Sequence, residues 1–245
     1  MSGIDRTFRH AVGLLATALI AAAGTVVLTA ATASAEEQSP CPDRYVLAVD
    51  GTKNFDSPDS IDPDSPLAEI SARYRAPGTI VEHIRYPAVV VPLPDSGSSD
   101  EEAIAYDRSK EVGHQRLRET IKVRHSSCPD SELVILGYSQ GASIAGDVLA
   151  EIAADGSVPP QQIRGILYSD PRDIRGVETR FPGEVIPGVT LGGGRDNFGT
   201  IDVQRICIEG DAVCDSVTPG ESDEWLKENV TGYLLLHTDY PDYTP

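Results

Sequence analysis

An α/β fold, with a mostly parallel central sheet and helices on both of its faces, is what this sequence predicts, and three observations carry it. Short, largely apolar runs at Tyr45–Val49, Thr79–Ile84, Glu132–Leu136, Ile163–Tyr168 and Asp202–Ile208 alternate with stretches of helical character. Runs of this length without polar alternation read as strands buried on both faces, which is the environment of a parallel sheet. From Gln140 the period changes: Ile144, Ala145, Val148, Leu149 and Ile152 make one helical stripe, ended by Asp155-Gly156. The composition, 40% hydrophobic and 24% charged, is that of an ordinary globular chain.

The elements follow in order. Arg6 and Arg9 precede an uncharged stretch from Ala11 to Ala35 that ends in Ala33-Ser34-Ala35. This is the pattern of a secretory signal cleaved after a small-x-small site, so residues 1–35 are read as a signal peptide and residues 36–245 as one domain. An uncleaved anchor is the alternative, since the uncharged run is long enough to span a bilayer. Tyr45–Val49 ends in Asp50-Gly51, a strand followed by a turn. Pro66–Arg75 forms a short helix before Pro77-Gly78, and Thr79–Ile84 forms a strand stopped by Tyr86-Pro87. A Pro- and Ser-rich loop over 87–99 leads into Asp100-Glu101-Glu102, acidic residues suited to the start of a helix running to about Val123. Residues 171–200, with their Gly192-Gly193-Gly194 run, break the alternation and read as a long structureless loop, either a lid or a surface insertion.

Charge and cysteines limit the function. Twenty basic against 38 acidic residues give a net charge of −18, which argues against nucleic acid and anionic surfaces as partners. Four cysteines in an exported chain suggest two disulfides. Cys207 and Cys214 are natural local partners, which leaves Cys41 for Cys128. No CxxC or nearby His supports zinc. Asp56, Asp59, Asp62 and Asp64 lack the spacing of an EF-hand and read as a solvated acidic loop, so no metal and no cofactor are expected. The Asn229-Val230-Thr231 sequon falls on a predicted helix and reads as coincidence.

Chemistry concentrates at Gly137-Tyr138-Ser139-Gln140-Gly141. This G-x-S-x-G pentapeptide joins an apolar strand to a helix, the setting in which a sharp turn presents a serine hydroxyl above the sheet. Ser139 needs a base. In α/β-hydrolases the chain order is nucleophile, acid, base, and only His237 follows Ser139. Asp170 and Asp211 both follow predicted strands and both qualify as the acid. Asp211 is favoured because the small Cys207–Cys214 ring would hold it still. The backbone N–H of Gln140 and the Gly51-Thr52 turn, with Thr52 as donor, would bind the oxyanion.

The chain resembles the cutinase family of actinobacterial α/β-hydrolases. Cys41-Pro42-Asp43, Gly51-Thr52, Tyr86-Pro87-Ala88, Cys128-Pro129-Asp130, Gly137–Ala142 and Cys207–Cys214 carry that likeness. Arg180-Phe181-Pro182-Gly183 and Gly232–Tyr240 are more similar to the serine-esterase domain known as PE-PPE. The resemblance implies an α/β-hydrolase fold, a Ser139-Asp211-His237 triad, oxyanion donors Thr52 and Gln140, and a secreted or envelope-associated monomer that cleaves ester or lipid substrates. An acyltransferase of the same fold and a non-catalytic envelope protein are the alternatives. Asp50 stands where cutinases usually carry Arg. A carboxylate turned towards the oxyanion there would oppose the developing charge.

Overall fold

In the computed structural model, residues 41–53, 62–90 and 105–243 are described; the expected signal peptide lies outside them. The first half contains β1 (Arg44–Val49), α1 (Pro66–Ala72), β2 (Thr79–His83), α2 (Tyr106–Ser127), β3 (Glu132–Tyr138) and α3 (Gln140–Asp155). The second half contains β4 (Ile163–Tyr168), α4 (Val177–Arg180), β5 (Gly183–Ile186), β6 (Val189–Leu191), β7 (Asp202–Ile206) and α5 (Trp225–Leu236). Five strands form a wholly parallel sheet in the order β2-β1-β3-β4-β7. The predicted α/β architecture is the one observed.

Both sheet faces are covered because alternate residues of the central strands point to different helices. Tyr45, Leu47, Val49, Leu133 and Ile135 pack with Leu117 and Ile121 of α2 and with Ile144, Val148 and Leu149 of α3. Their neighbours Val46, Ala48, Val134 and Leu136 pack on the opposite face against Leu67 and Ile70 of α1 and against Tyr240. Register aligns the carboxyl ends: Val49 pairs with Gly137, and Tyr138 with Tyr168. The loops that leave β1, β3, β4 and β7 therefore emerge along one edge, where open parallel sheets place their sites.

Element ends differ from the sequence reading for local reasons. α1 stops at Ala72 because Arg73, Tyr74 and Arg75 bond carbonyls three residues back, tightening the chain out of α geometry. α2 begins at Tyr106, with the acidic 100–102 run outside the described residues, and continues past Val123 to Ser127. The strand expected over Asp202–Ile208 ends at Ile206.

The larger correction concerns residues 171–200, which are structured. They hold α4 and the antiparallel β5–β6 hairpin, pinned from inside by two charged side chains. Glu178, fully buried, accepts from Tyr106 Oη at 2.6 Å, Lys110 Nζ at 3.2 Å, Ser143 Oγ at 3.0 Å and Gly192 N at 2.7 Å. Those donors outweigh burial and hold its carboxyl below the usual range. Arg195 reaches Ser143 O at 2.9 Å, Asp147 at 2.7 Å and Asp170 at 2.6 Å. Its two terminal nitrogens are bonded while Nε is buried without a partner, so this buried ion fixes position more than it adds stability. The segment is riveted to α3, the helix that begins beside Ser139.

Candidate active site

Ser139 sits at the junction of β3 and α3 with φ 55° and ψ −122°, a left-handed conformation that serine adopts at a cost. The turn is tight enough that a Cβ on Gly141 would lie 2.0 Å from the carbonyl oxygen of Val49, so only glycine fits under the β1 exit. The same close approach brings Gly51, the residue before Thr52, against Tyr138 and Ser139. Lys53 N donates to Ala88 O at 2.9 Å and ties down the far end of that turn. The Gln140 side chain is engaged elsewhere, on Val89 O at 3.0 Å, and its backbone N–H belongs to the first turn of α3, where helix N–H groups are free to meet an anion.

The other predicted residues arrive from the end of the chain. His237 caps the C-terminus of α5, and its Nε2 lies 3.0 Å from Ser139 Oγ. Its Nδ1 lies 3.1 and 3.2 Å from the two oxygens of Asp211. α5 can rest on the loop carrying Asp211 because Gly232 has no side chain; a Cβ there would meet Gly210 O at 1.9 Å. The predicted disulfides are both formed, Cys41–Cys128 and Cys207–Cys214, and the second closes the ring that contains Asp211. Ser139, Asp211 and His237 are therefore brought together in one hydrogen-bonded line. Asp170 is not part of it. Its carboxylate is held by Arg195 and by Arg172 N, and burial, partly offset by Arg195, raises its pKa.

Asp50 departs from expectation. Its carboxylate, 1% exposed, accepts from Ser65 Oγ at 2.5 Å and pairs with His83 Nδ1 at 2.7 Å. Ser65 is also the N-cap of α1, accepting from Ala68 N at 3.0 Å. The backbone carbonyl of Asp50 accepts from Tyr86 Oη at 2.5 Å. The carboxylate is thus engaged by α1 and β2 rather than left to face an oxyanion.

Four residues pack around His237 and its partner Asp211, and three of them carry no signal of this role in the sequence. Tyr138 and Tyr233 stack on its two faces, with ring centroids at 5.1 and 5.0 Å. Tyr138 Oη also donates to His237 O at 2.6 Å. Asp211 Oδ2 accepts from Ser169 Oγ at 2.5 Å and from Tyr240 Oη at 2.6 Å. Tyr233 alone is legible in principle, because a position four before a helical His shares its face. Among the described residues no group of three or more His, Cys, Asp or Glu could hold a metal; Asp56 and Asp59 lie outside them. The sequon residue Asn229 is occupied, bonding both the N–H and C=O of Val217 and clamping α5 to the preceding loop.

Comparison with known proteins identifies the family of the chain. The cutinase family profile matches residues 40–223. A carboxylesterase Culp6 homologue of Corynebacterium glutamicum is 31% identical over 244 residues, covering 84% of this chain and 76% of that one. An uncharacterized PPE family protein, PPE28 of Mycobacterium tuberculosis, is 28% identical over 164 residues, covering 65% of this chain and 23% of that one. Among solved structures, the catalytic core of acetyl xylan esterase from Trichoderma reesei superposes with a TM-score of 0.49 at 21% identity, over 83% of this chain and 98% of that one. With three quarters of its length matched by the family profile, the chain belongs to the cutinase family of carboxylic-ester hydrolases.

Proposed function

We propose that this protein is a secreted serine esterase that hydrolyses acyl esters through an acyl-enzyme. The observation that carries the proposal is the unbroken line from Ser139 Oγ to His237 Nε2 and from His237 Nδ1 to Asp211. Ser139 Oγ attacks the ester carbonyl while His237 takes its proton, and the oxyanion binds the N–H of Gln140 and the Thr52 donor. Collapse of that intermediate breaks the C–O bond, and the departing alcohol takes the proton from His237. Water then gives a proton to His237 and attacks the acyl carbon. Release of the carboxylic acid returns the proton to Ser139. Asp211 fixes the imidazole tautomer and stabilises the imidazolium throughout.

Two features support the substrate class and the location. Leu226, Val230, Tyr233 and Leu234 recur at helical spacing along α5 and stay exposed up to His237, so an apolar surface leads to the base and suits an aliphatic acyl group. The signal pattern over residues 1–35 and the two disulfides support export. The test is hydrolysis of p-nitrophenyl esters across an acyl-length series, beside Ser139→Ala. Hydrolysis by the wild type and none by the variant is expected; equal rates would return the chain to a non-catalytic role.

A further inference from the structure

Three non-glycine residues among those described hold a left-handed φ: Ala88, Ser139 and Ser169. Two of the three face His237. Strain at Ser139 belongs to the nucleophile turn, but Ser169 leaves β4 with φ 51° and no exposure at all, where glycine would sit without cost. What the serine adds is a hydroxyl. Its Oγ donates to Asp211 Oδ2 at 2.5 Å and lies 3.0 Å from His237 Nδ1, closer than either oxygen of Asp211. Tyr240 Oη reaches the same Oδ2 at 2.6 Å from the segment after α5, and Val213 N donates to Oδ1 at 3.1 Å.

We propose that Ser169 and Tyr240 are positioning residues that share the charge of Asp211 and thereby set the pH at which His237 becomes a free base. This rests on the triad reading above. Each donor to the carboxylate partly neutralises the field that Asp211 exerts on the imidazole, so the imidazolium is stabilised less and releases its proton at lower pH. The bonds from His237, Ser169 and Tyr240 together overcome burial and hold the Asp211 carboxyl below its usual range. Burial and the charge of Asp211 push the Tyr240 hydroxyl up, so it remains a donor. The other groups against the imidazole, Tyr138 from β3, Tyr233 from α5 and Ser139, touch its faces and Nε2 and do not contact the carboxylate. The two hydroxyls thus extend the working range of the site towards acid.

The sign is opposite to that of simple damage. Removing a donor leaves Asp211 a stronger partner for the imidazolium; at Ser169 this gain from a full charge outweighs the loss of the neutral Oγ acceptor facing Nδ1, so the acid limb of the rate profile moves to higher pH. Ser169→Gly is the cleanest variant because it removes the hydroxyl and the backbone strain together. Its thermal midpoint is expected to be unchanged or higher, while the acid limb of Ser139 labelling by an alkyl fluorophosphonate rises by about half a pH unit or more. Tyr240→Phe should shift the limb in the same direction, and the double variant further. Titration of the 13C-labelled His237 ring in a Ser139→Ala background reads the same quantity without catalysis. A lowered plateau with an unmoved midpoint in both single variants, or a midpoint moved towards acid, would overturn the proposal. Wild-type protein that no fluorophosphonate labels at Ser139 would overturn the triad reading instead, with the ring titration still reporting on the two donors.

Discussion

Two chains of the same three residue types run through this molecule. Asp211, His237 and Ser139 form one, with His–Ser at 3.0 Å. Asp50, His83 and Ser71 form the other, with Asp50 Oδ2 2.7 Å from His83 Nδ1 and His83 Nε2 2.9 Å from Ser71 Oγ. By hydrogen bonds alone they are hard to tell apart, and the second has the shorter Asp–His contact. They differ in where the serine stands. Ser71 lies inside α1 with no exposure, and its hydroxyl also reaches Ala68 O at 3.1 Å, so nothing can approach it. Ser139 stands on a strained turn at the start of a helix, at the carboxyl edge of the sheet, beside backbone donors. In the proposed mechanism, access and an oxyanion site are what separate the catalytic Asp-His-Ser chain from the one that serves as structural cement.

The sharpest way to break the comparison is to truncate the two serines. Ser139→Ala is expected to lower kcat by roughly 10⁵–10⁶-fold, since removing the nucleophile forfeits most of what a triad supplies. Ser71→Ala should leave kcat within about twofold and cost about 1–3 kcal/mol of stability, because His83 loses a buried partner. Ester hydrolysis and urea unfolding of the two variants check both halves. Comparable losses of activity would mean that α1 is coupled to the site.

The two aspartates should separate in the same way with smaller effects. Asp211→Asn keeps the shape but disturbs the tautomer, and a fall in kcat of roughly 10³–10⁴-fold is expected. Asp50→Ala strips the partner from His83 and Ser65 together, and about 3 kcal/mol should be lost in urea unfolding, as for other broken buried pairs. The variant that remains folded should still be labelled at Ser139.

A third contrast uses the disulfides. Cys207–Cys214 encloses Asp211, whereas Cys41–Cys128 ties the chain ahead of β1 to the end of α2 across a separation of 87 residues. In the chain-entropy account the long loop is worth about 4–5 kcal/mol and the short ring roughly 2–3. Removing Cys207 and Cys214 together as serines should therefore cut turnover by about tenfold or more, through a misplaced Asp211, with the smaller drop in melting temperature. Removing Cys41 and Cys128 should do the reverse. Full turnover in the first double variant would show that Ser169, Tyr240 and Val213 N suffice to hold the carboxylate.

What is legible in the sequence follows from range. The five parallel strands, α3 and the Ser139 turn are written in contiguous residues, because burial on both faces and a sharp glycine-lined turn are local demands. His237 and Asp211 are reached through chain order and the small disulfide ring. The roles of Ser169 and Tyr240 are not legible, because they meet Asp211 from 42 and 29 residues away and nothing local marks them. The β5–β6 hairpin escapes for a related reason. β5 is exposed along its whole length, and the side chains that pin this segment, Glu178 and Arg195, look in sequence like surface charges.

The smallest expected effect is the most discriminating for Asp50. In sequence, a carboxylate beside the oxyanion turn suggests a charge that slows the reaction, and its removal would then speed hydrolysis. The structure gives that carboxylate two partners, Ser65 Oγ and His83 Nδ1, and both can be kept by an amide. In Asp50→Asn the side-chain carbonyl oxygen still accepts from Ser65. The amide N–H donates to His83 Nδ1 once the imidazole takes the tautomer with its proton on Nε2, which then donates to Ser71 Oγ. The bond from Tyr86 Oη is untouched, because it ends on the main-chain oxygen at position 50 and not on the side chain. All the elements that hold the β1 exit therefore stay bonded. The rate of Ser139 acylation near neutral pH should stay within about twofold of wild type, because a carboxylate whose oxygens are taken up by the dipoles of Ser65 and His83 is a weakened source of field at a distance. Pre-steady-state acylation with a p-nitrophenyl ester measures this directly. A severalfold rise would show that the Asp50 charge reaches the oxyanion despite its partners, and that this residue restrains the enzyme.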